Sequence, residues 1–205
     1  SMGGNLVFRN TLVVTQFVVS IVLLAGTVVV YRQLKFIKNR NLGYNKENLL
    51  YMAMTGEMWN KQAALKAELE RNPLTAAYTV ISDLPTNLTS GTVSINWEGK
   101  DPNSQTVFPN MDVSEEFIPI FQMNLLSGRN FSKAFKGDSA SFIINEKSMH
   151  LMGMTSKTAI GKGLTFQGQK GTIIGVVKDF NFKPIQQPIE PLILRLNRYG
   201  GHIVI

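Results

Sequence analysis

Between Arg9 and Arg32 the chain runs for twenty-one residues without a formal charge, as Thr11 to Tyr31, TLVVTQFVVSIVLLAGTVVVY. At about 1.5 Å of rise per residue, roughly twenty residues of helix cross a hydrocarbon layer of about 30 Å, and a helix pairs its own backbone polar groups. The pattern predicts a membrane span. Two alternatives compete with it. A signal peptide has a shorter apolar region, about 7 to 15 residues, ahead of a small-residue cleavage site, and no Ala-x-Ala follows here. The core helix of a soluble domain normally shows a polar stripe, whereas the polar side chains here are Thr11, Thr15, Gln16, Ser20 and Thr27, none ionisable. Gln16, Ser20 and Thr27 follow at spacings of four and seven, which puts them on one face suited to a neighbouring membrane helix. Val30, Leu34 and Ile37 keep the apolar spacing while Arg32, Lys35 and Lys38 face elsewhere. The helix is therefore expected to emerge as a stalk and to stop at Asn39, Asn41 and Gly43.

Beyond the stalk the period changes. Asn48 to Met54 (NLLYMAM) reads as a short buried strand, and a helix follows from about Gly56 to Arg71, with Thr55 as its N-cap and Pro73 just past its end. Met58, Leu65 and Leu69 share its inner face, and Glu57 with Lys61 forms an i,i+4 pair. Ala76 to Ile81 reads as a second strand, giving a βαβ-like unit. From Ser82 onward short strands alternate with turn residues. Thr92 to Trp97 places Val93, Ile95 and Trp97 on one face, and the turn Gly99 to Pro102 leads to a strand near Gln105 to Val113, as in a hairpin. A helix is expected from Ser114 to Phe121, a strand at Asn124 to Leu126, a glycine break at Gly128, a strand at Ser141 to Ile144 and a helix at Glu146 to Met152. Strands are expected at Leu164 to Phe166, Gly171 to Val177, Pro191 to Leu196 and His202 to Ile205, where the chain reads as cut mid-domain. The fold class is α+β. Its parts are 1–4 (a tag or truncation remnant), 5–47 (span and stalk), 48–91 (the βαβ part) and 92–205 (the β-rich part).

The net charge of +7 invites a nucleic-acid reading, but its placement argues otherwise. From Asn48 to Ile205 there are 15 basic and 13 acidic residues, whereas Arg32, Lys35, Lys38, Arg40 and Lys46 stand together beside the span. Such a cluster fits anionic lipid headgroups and snorkelling side chains better than DNA phosphates. A positive flank would by itself predict a cytoplasmic side, and earlier spans could override it. The absence of cysteine excludes a disulfide scaffold and a thiolate metal site.

The search for catalytic chemistry returns little. Gly161-Lys162 lacks the earlier glycine and the following Ser or Thr of a phosphate loop, and Phe166 takes the third glycine place of a dinucleotide fingerprint. His150 and His202 have no carboxylate at helical metal-ligand spacing. No nucleophile elbow marks a serine beside His150 and Asp179. Glu115 and Glu116 read as complements to a helix dipole. Asp179, which ends the run GTIIGVVK ahead of Phe180 and Phe182, reads as an Asx-type anchor accepting backbone N–H groups.

Taken together, LVVTQFVVSIVLLAGTVVVYRQLKFIKNRNLGYNKENLL, FIPIFQMNLLSGRNFS, FIINEKSMHLMG, AIGKGL and GTIIGVVKDFNFKPIQQPIEPLIL resemble the extracytoplasmic core domain of MacB/FtsX-like ABC transporter permeases. The resemblance covers nearly the whole chain and is most specific from Gly171 to Leu194. It implies a porter-like βαβ half and a β-rich, Sabre-like subdomain, with Gly128, Arg129, Gly161, Gly175, Asp179, Phe180 and Pro191 as structural motif positions. It also implies a non-catalytic domain of the bacterial inner membrane, facing the periplasm, that transmits ATP-driven motion. The implied partners are a cytoplasmic ABC ATPase, a second permease copy or half, a periplasmic adaptor or outer-membrane partner, and membrane lipid. No cofactor, metal or nucleic acid is implied. The family has at least four spans and a second porter half, so the chain reads as a fragment. A membrane-tethered sensor of a small ligand and an anchored envelope hydrolase are the alternatives.

Overall fold

The computed structural model describes residues 2–39, 41–86, 88–184 and 186–205. Ser1 of the expected remnant and Arg40 of the basic cluster lie outside the described residues. The chain divides into two units, Ser1–Asn41 and Leu42–Ile205. The first is one helix, α1 (Met2–Asn39). Its Val, Ile and Thr residues are modest helix formers in water. In hydrocarbon the need to pair every N–H and C=O within the segment dominates, and no proline interrupts it.

The second unit is built on a mixed sheet. Its strands are β1 (Tyr51–Ala53), β2 (Thr79–Ile81), β3 (Gly91–Thr92), β4 (Ile95–Trp97), β5 (Phe108–Val113), β6 (Leu125–Gly128), β7 (Ser141–Asn145), β8 (Gly163–Phe166), β9 (Gln169–Val177), β10 (Ile193–Leu196) and β11 (His202–Val204). The spatial order is β1-β11-β2-β5-β10-β7-β9-β8-β4, with β3 pairing the start of β5 and β6 the end of β9. β10 runs parallel to β5, and β7 parallel to β9. Among the described residues four α-helices accompany the sheet: α2 (Gln62–Arg71), α3 (Phe117–Ile120), α4 (Glu146–Leu151) and α5 (Ser156–Ala159).

Strand side chains alternate between faces, so the central strands feed two cores. Met111, Ile143, Val177 and Leu194 pack on one face with Phe117, Phe121, Phe180 and Phe182. Phe108, Phe142, Ile144, Val176 and Ile193 pack on the other with Met149, Met152, Leu164 and Phe166. Burial on both faces is why FIIN and GTIIGVV carry near-continuous apolar runs. A third cluster, Met54, Val80 and Ile203, receives Met58, Leu65 and Leu69 from the α2 region.

Several local expectations are corrected. β1 is a sheet edge with β11 as its one neighbour, so Leu50 and Tyr51 are exposed rather than buried. The strand-helix-strand unit is split, because β11 lies between β1 and β2 and runs antiparallel to both. The second strand is confined to Thr79–Ile81. The helix expected from Gly56 begins at Gln62, after a 3₁₀ turn at Gly56–Met58. Gly56 takes φ +51°, incompatible with a right-handed start, and Thr55 makes no capping bond. The Trp59 indole instead donates to the Met54 carbonyl at 3.0 Å, which holds the chain in the turn. The expected hairpin pairs only where Thr92 faces Phe108, antiparallel. Thr92 to Trp97 breaks at Val93 and Ser94, where the Ile95 N–H donates to the Val93 carbonyl at 2.8 Å in a tight turn. That turn leaves Val93 exposed and Ile95 buried and sends β4 to β8 instead of β5. α3 is shorter than expected because the Ser114 hydroxyl is engaged by the Thr79 hydroxyl and the Val80 N–H.

Candidate functional site

Several places in the chain carry polar or motif residues in defined geometry. In the first unit, the stretch Phe8–Ile37 is long and apolar enough to cross a membrane, with a mean hydropathy of 2.5. The hydroxyls of Thr15 and Thr27 donate back to the carbonyls of Thr11 and Leu23 at 2.8 Å, which lowers the penalty of placing them in hydrocarbon. Gln16, Ser20 and Thr27 are exposed on the helix.

The second place is where the head begins. Leu42 accepts the Asn181 N–H at 2.7 Å, and the Asn45 N–H donates to the Phe121 carbonyl at 2.9 Å. Gly43, at φ +87°, leaves no room for a Cβ, which would sit 2.8 Å from the Asp179 oxygen and the Phe180 Cα. Tyr44 then meets Phe121 and Phe180 edge-on, with centroids at 5.6 and 6.1 Å, and donates to the Pro85 carbonyl at 3.2 Å. The burial that this requires pushes the Tyr44 hydroxyl pKa well up.

The motif positions gather along the middle of β9 and beyond its C-terminal end. Toward its middle, Gly128 (φ +76°) pairs with Gly175, the Arg129 N–H donates to the Ile174 carbonyl at 2.9 Å, and the Gly161 N–H donates to the Ile173 carbonyl at 2.9 Å. A Cβ on Gly175 would lie 2.5 Å from the Arg129 carbonyl oxygen. The Arg129 guanidinium grips buried Asp138 with two bonds of 2.8 and 2.6 Å and stacks on Phe135. At the far end, Asp179 Oδ1 accepts the Lys147 N–H and the Asn145 amide, both at 2.9 Å. Asp179 thus anchors the first turn of α4 rather than its own turn. Burial first, and the Glu146 charge with it, push its carboxyl pKa up against the Lys147 bond. Asn145, fully buried, also accepts from Leu192 N–H and donates to the Glu190 carbonyl, which fixes the chain on either side of buried Pro191.

The third place is a groove of about 650 Å³ between α2 and the segment leading into β2. Ala63, Ala67, Ala76 and Ala77 contribute to its lining, with Lys66, Glu70, Tyr78, Glu115, Glu116, Lys133 and Arg198. Arg198 donates Nε and Nη2 to Glu115 Oε1, so Glu115 serves an ion pair rather than the helix dipole expected of it. Burial opposes ionisation of Glu115, yet the Arg198 bond, the Glu115 backbone N–H and the charges of Arg198 and Lys133 hold its pKa below the usual value. Burial pushes the Lys66 ammonium down, and it pushes the Tyr78 hydroxyl up to about 12, aided by the 2.9 Å bond that Tyr78 donates to Glu70. Sequence reasoning missed this groove. The one available signal was the small-residue pairing of Ala63 and Ala67 with Ala76 and Ala77. His150 is exposed on α4 with Glu146 one turn before it and their side chains 3.8 Å apart, so a carboxylate does stand at helical spacing from it, contrary to expectation, and His202 lies on β11.

The periplasmic region of MacB from Actinobacillus actinomycetemcomitans superposes with a TM-score of 0.53 at 12% identity, over 82% of this chain and 78% of that one. The extracellular domain of the noncanonic ABC-type transporter YknZ from Gram-positive bacteria superposes with a TM-score of 0.51 at 14% identity, over 77% and 82%. The fold is that of a MacB-like periplasmic domain. No protein-family model and no curated protein matches the sequence. This MacB-like head is a mixed α+β sheet.

Proposed function

We propose that the chain is a non-catalytic, extracytoplasmic domain of an ABC transporter permease, carried on its own membrane helix, that passes ATP-driven motion outward. The observation that carries this reading is a MacB-like fold reached directly from a helix able to cross a bilayer. Coupling needs a stiff input and a stiff receiver. The input is α1, without proline; the receiver begins at Leu42 to Tyr44, bonded to the 179–182 segment and to Phe121. The partners in this role are a cytoplasmic ABC ATPase and a second permease copy or half, with a periplasmic adaptor and membrane lipid around them, in a bacterial inner membrane. The process served in this role is efflux, lipoprotein release or envelope regulation.

The full-length protein purified in detergent is expected to bring a cytoplasmic ATPase with it. Inserting proline at Leu34 removes a helix hydrogen bond and bends the rod. Transport is then expected to uncouple from ATP hydrolysis while the fluorescence of Trp59 and Trp97 reports an intact head. Unchanged coupling in that variant would refute the stalk mechanism.

A further inference from the structure

The polar stripe and the apolar stripe of α1 are one line. Gln16, Ser20, Leu23, Thr27, Val30, Leu34 and Ile37 follow at spacings of 4, 3, 4, 3, 4 and 3, the 3.5-residue period of a coiled-coil seam. The line is longer than a bilayer is thick. Phe8–Ile37 has 30 residues, about 45 Å of helix against about 30 Å of hydrocarbon, and Arg32 and Lys35 mark where water begins.

The chemistry of the line inverts where the solvent does. Between Arg9 and Arg32 it carries Gln16, Ser20 and Thr27. In lipid an apolar side chain gains little from a neighbouring helix, whereas polar and small ones draw helices together. Past Arg32 the line carries Leu34 and Ile37, 61% and 41% exposed, which water solvates badly. Each part thus holds the side chains that its own surroundings accept least, the mark of a face that another helix covers.

Gln16 selects the partner. The Thr27 hydroxyl is satisfied by the Leu23 carbonyl, but the Gln16 amide makes no hydrogen bond among the described residues. An amide is donor and acceptor at once, so an identical amide at the same depth closes two reciprocal bonds. A second copy, inserted in the same direction, brings one to that depth, and a single amide in a seam also fixes its register. Like charges do not oppose this pairing. Arg32 and Lys35 lie off the line, and Arg9, one heptad before Gln16, stands at the other boundary, where a long side chain reaches water.

We propose that α1 pairs along this line with α1 of a second copy, parallel and in register, the two Gln16 amides bonded to each other in the lipid and Leu34 and Ile37 packed on their counterparts beyond it. The pairing rests on α1 crossing a membrane and deepens the proposed function by naming the surface that meets the second permease copy; it requires no ATPase.

The chain has no cysteine, so single cysteines report the pairing in membranes holding the full-length protein. Under mild oxidation Leu34→Cys and Ile37→Cys are expected to give a disulfide-linked dimer, and Arg32→Cys and Lys35→Cys at least about fivefold less of it, because a disulfide needs Cβ atoms within about 4.5 Å. Added to Leu34→Cys, Gln16→Leu is expected to lower the dimer yield about fivefold or more, while Gln16→Asn, which keeps an amide, retains most of it. Equal yields at all four positions, no dimer at Leu34 and Ile37, or a yield that Gln16→Leu leaves unchanged would overturn the proposal. Copurification of an ATPase is read separately, so failure of the pairing and failure of the permease role are distinct results.

Discussion

The Arg129–Asp138 pair offers a sharp test, because its partners are buried to very different degrees. The Asp138 side chain is 1% exposed, the Arg129 side chain 38%. Asp138 receives both guanidinium bonds and the Ser132 N–H at 2.9 Å. Removing Arg129 leaves a buried carboxylate without a cation, a change that costs about 3 to 5 kcal/mol in buried pairs. Removing Asp138 leaves a guanidinium that water can reach, so Asp138→Ala should cost only about 2 kcal/mol, the loss of charge-assisted bonds plus one stranded N–H. Arg129→Ala is therefore expected to be the more damaging, and the double variant less damaging than the sum of the two. The pH dependence separates the cases further. In the native protein the Arg129 hydrogen bond, against burial and with the Ser132 N–H, holds the Asp138 pKa below its ordinary value. A depressed pKa means stability that is present above the unfolded value of about 3.9 and lost as pH falls through the folded value. In Arg129→Ala the Ser132 N–H alone opposes burial, so the folded pKa rises, and the penalty shrinks as pH falls and the carboxyl takes up its proton. Urea unfolding in detergent, read by Trp59 and Trp97 fluorescence at pH 7 and at about pH 4.5, measures both effects. Equal costs for the two single variants, or a penalty for Arg129→Ala that ignores pH, would refute the argument.

Gly128→Ala should cost at least about 3 kcal/mol, because φ is +76° and the new Cβ would meet the Ile174 oxygen at 2.1 Å; thermal unfolding reads it, and a loss under about 1 kcal/mol contradicts the geometry. Asp179→Asn keeps an oxygen for the Lys147 and Asn145 donors. Since the Asp179 pKa is raised by burial, the native carboxyl loses stability as pH rises through its folded value, so the variant should gain on the native protein between about pH 4 and 7 in unfolding experiments. Phe180→Ala, at a fully buried ring packed on Tyr44 and Phe182, should cost about 3 to 5 kcal/mol by the same unfolding measurement.

What the sequence revealed and what it hid follow from where the determining interactions lie. The membrane helix and the central strands β7, β9 and β10 could be read directly, because each carries its own apolar run and is governed by burial along its own length. The start of α2 was misjudged because the decisive bond, from the Trp59 indole to the Met54 carbonyl, competes with a cap that looks sound in sequence. β4 was given the wrong partner because a tight turn at Val93 reverses its facing, and no alternation pattern reports which distant strand completes a sheet. The split of β1 from β2 by β11 joins residues some 120 to 150 positions apart, beyond the reach of any local signal. The groove was hidden for the same reason: Lys66 and Arg198 are 132 residues apart, and their sharing of one wall is a property of the sheet order alone.

That sheet order gives the motif residues a common mechanical sense. β9 is flanked along its length by β7 on one edge and by β8 and then β6 on the other, so it cannot shift without moving all three. Gly128 and Gly175 let neighbouring backbones come close enough to pair, and Gly161, at φ +86°, donates its N–H to the Ile173 carbonyl. Its C-terminal end runs into Asp179 to Phe182, the segment that holds Leu42, Gly43 and Tyr44 through the Asn181 N–H, the close approach at Gly43 and the aromatic contacts. A pull applied at Leu42 is therefore resisted by the longest strand in the sheet rather than by a loop.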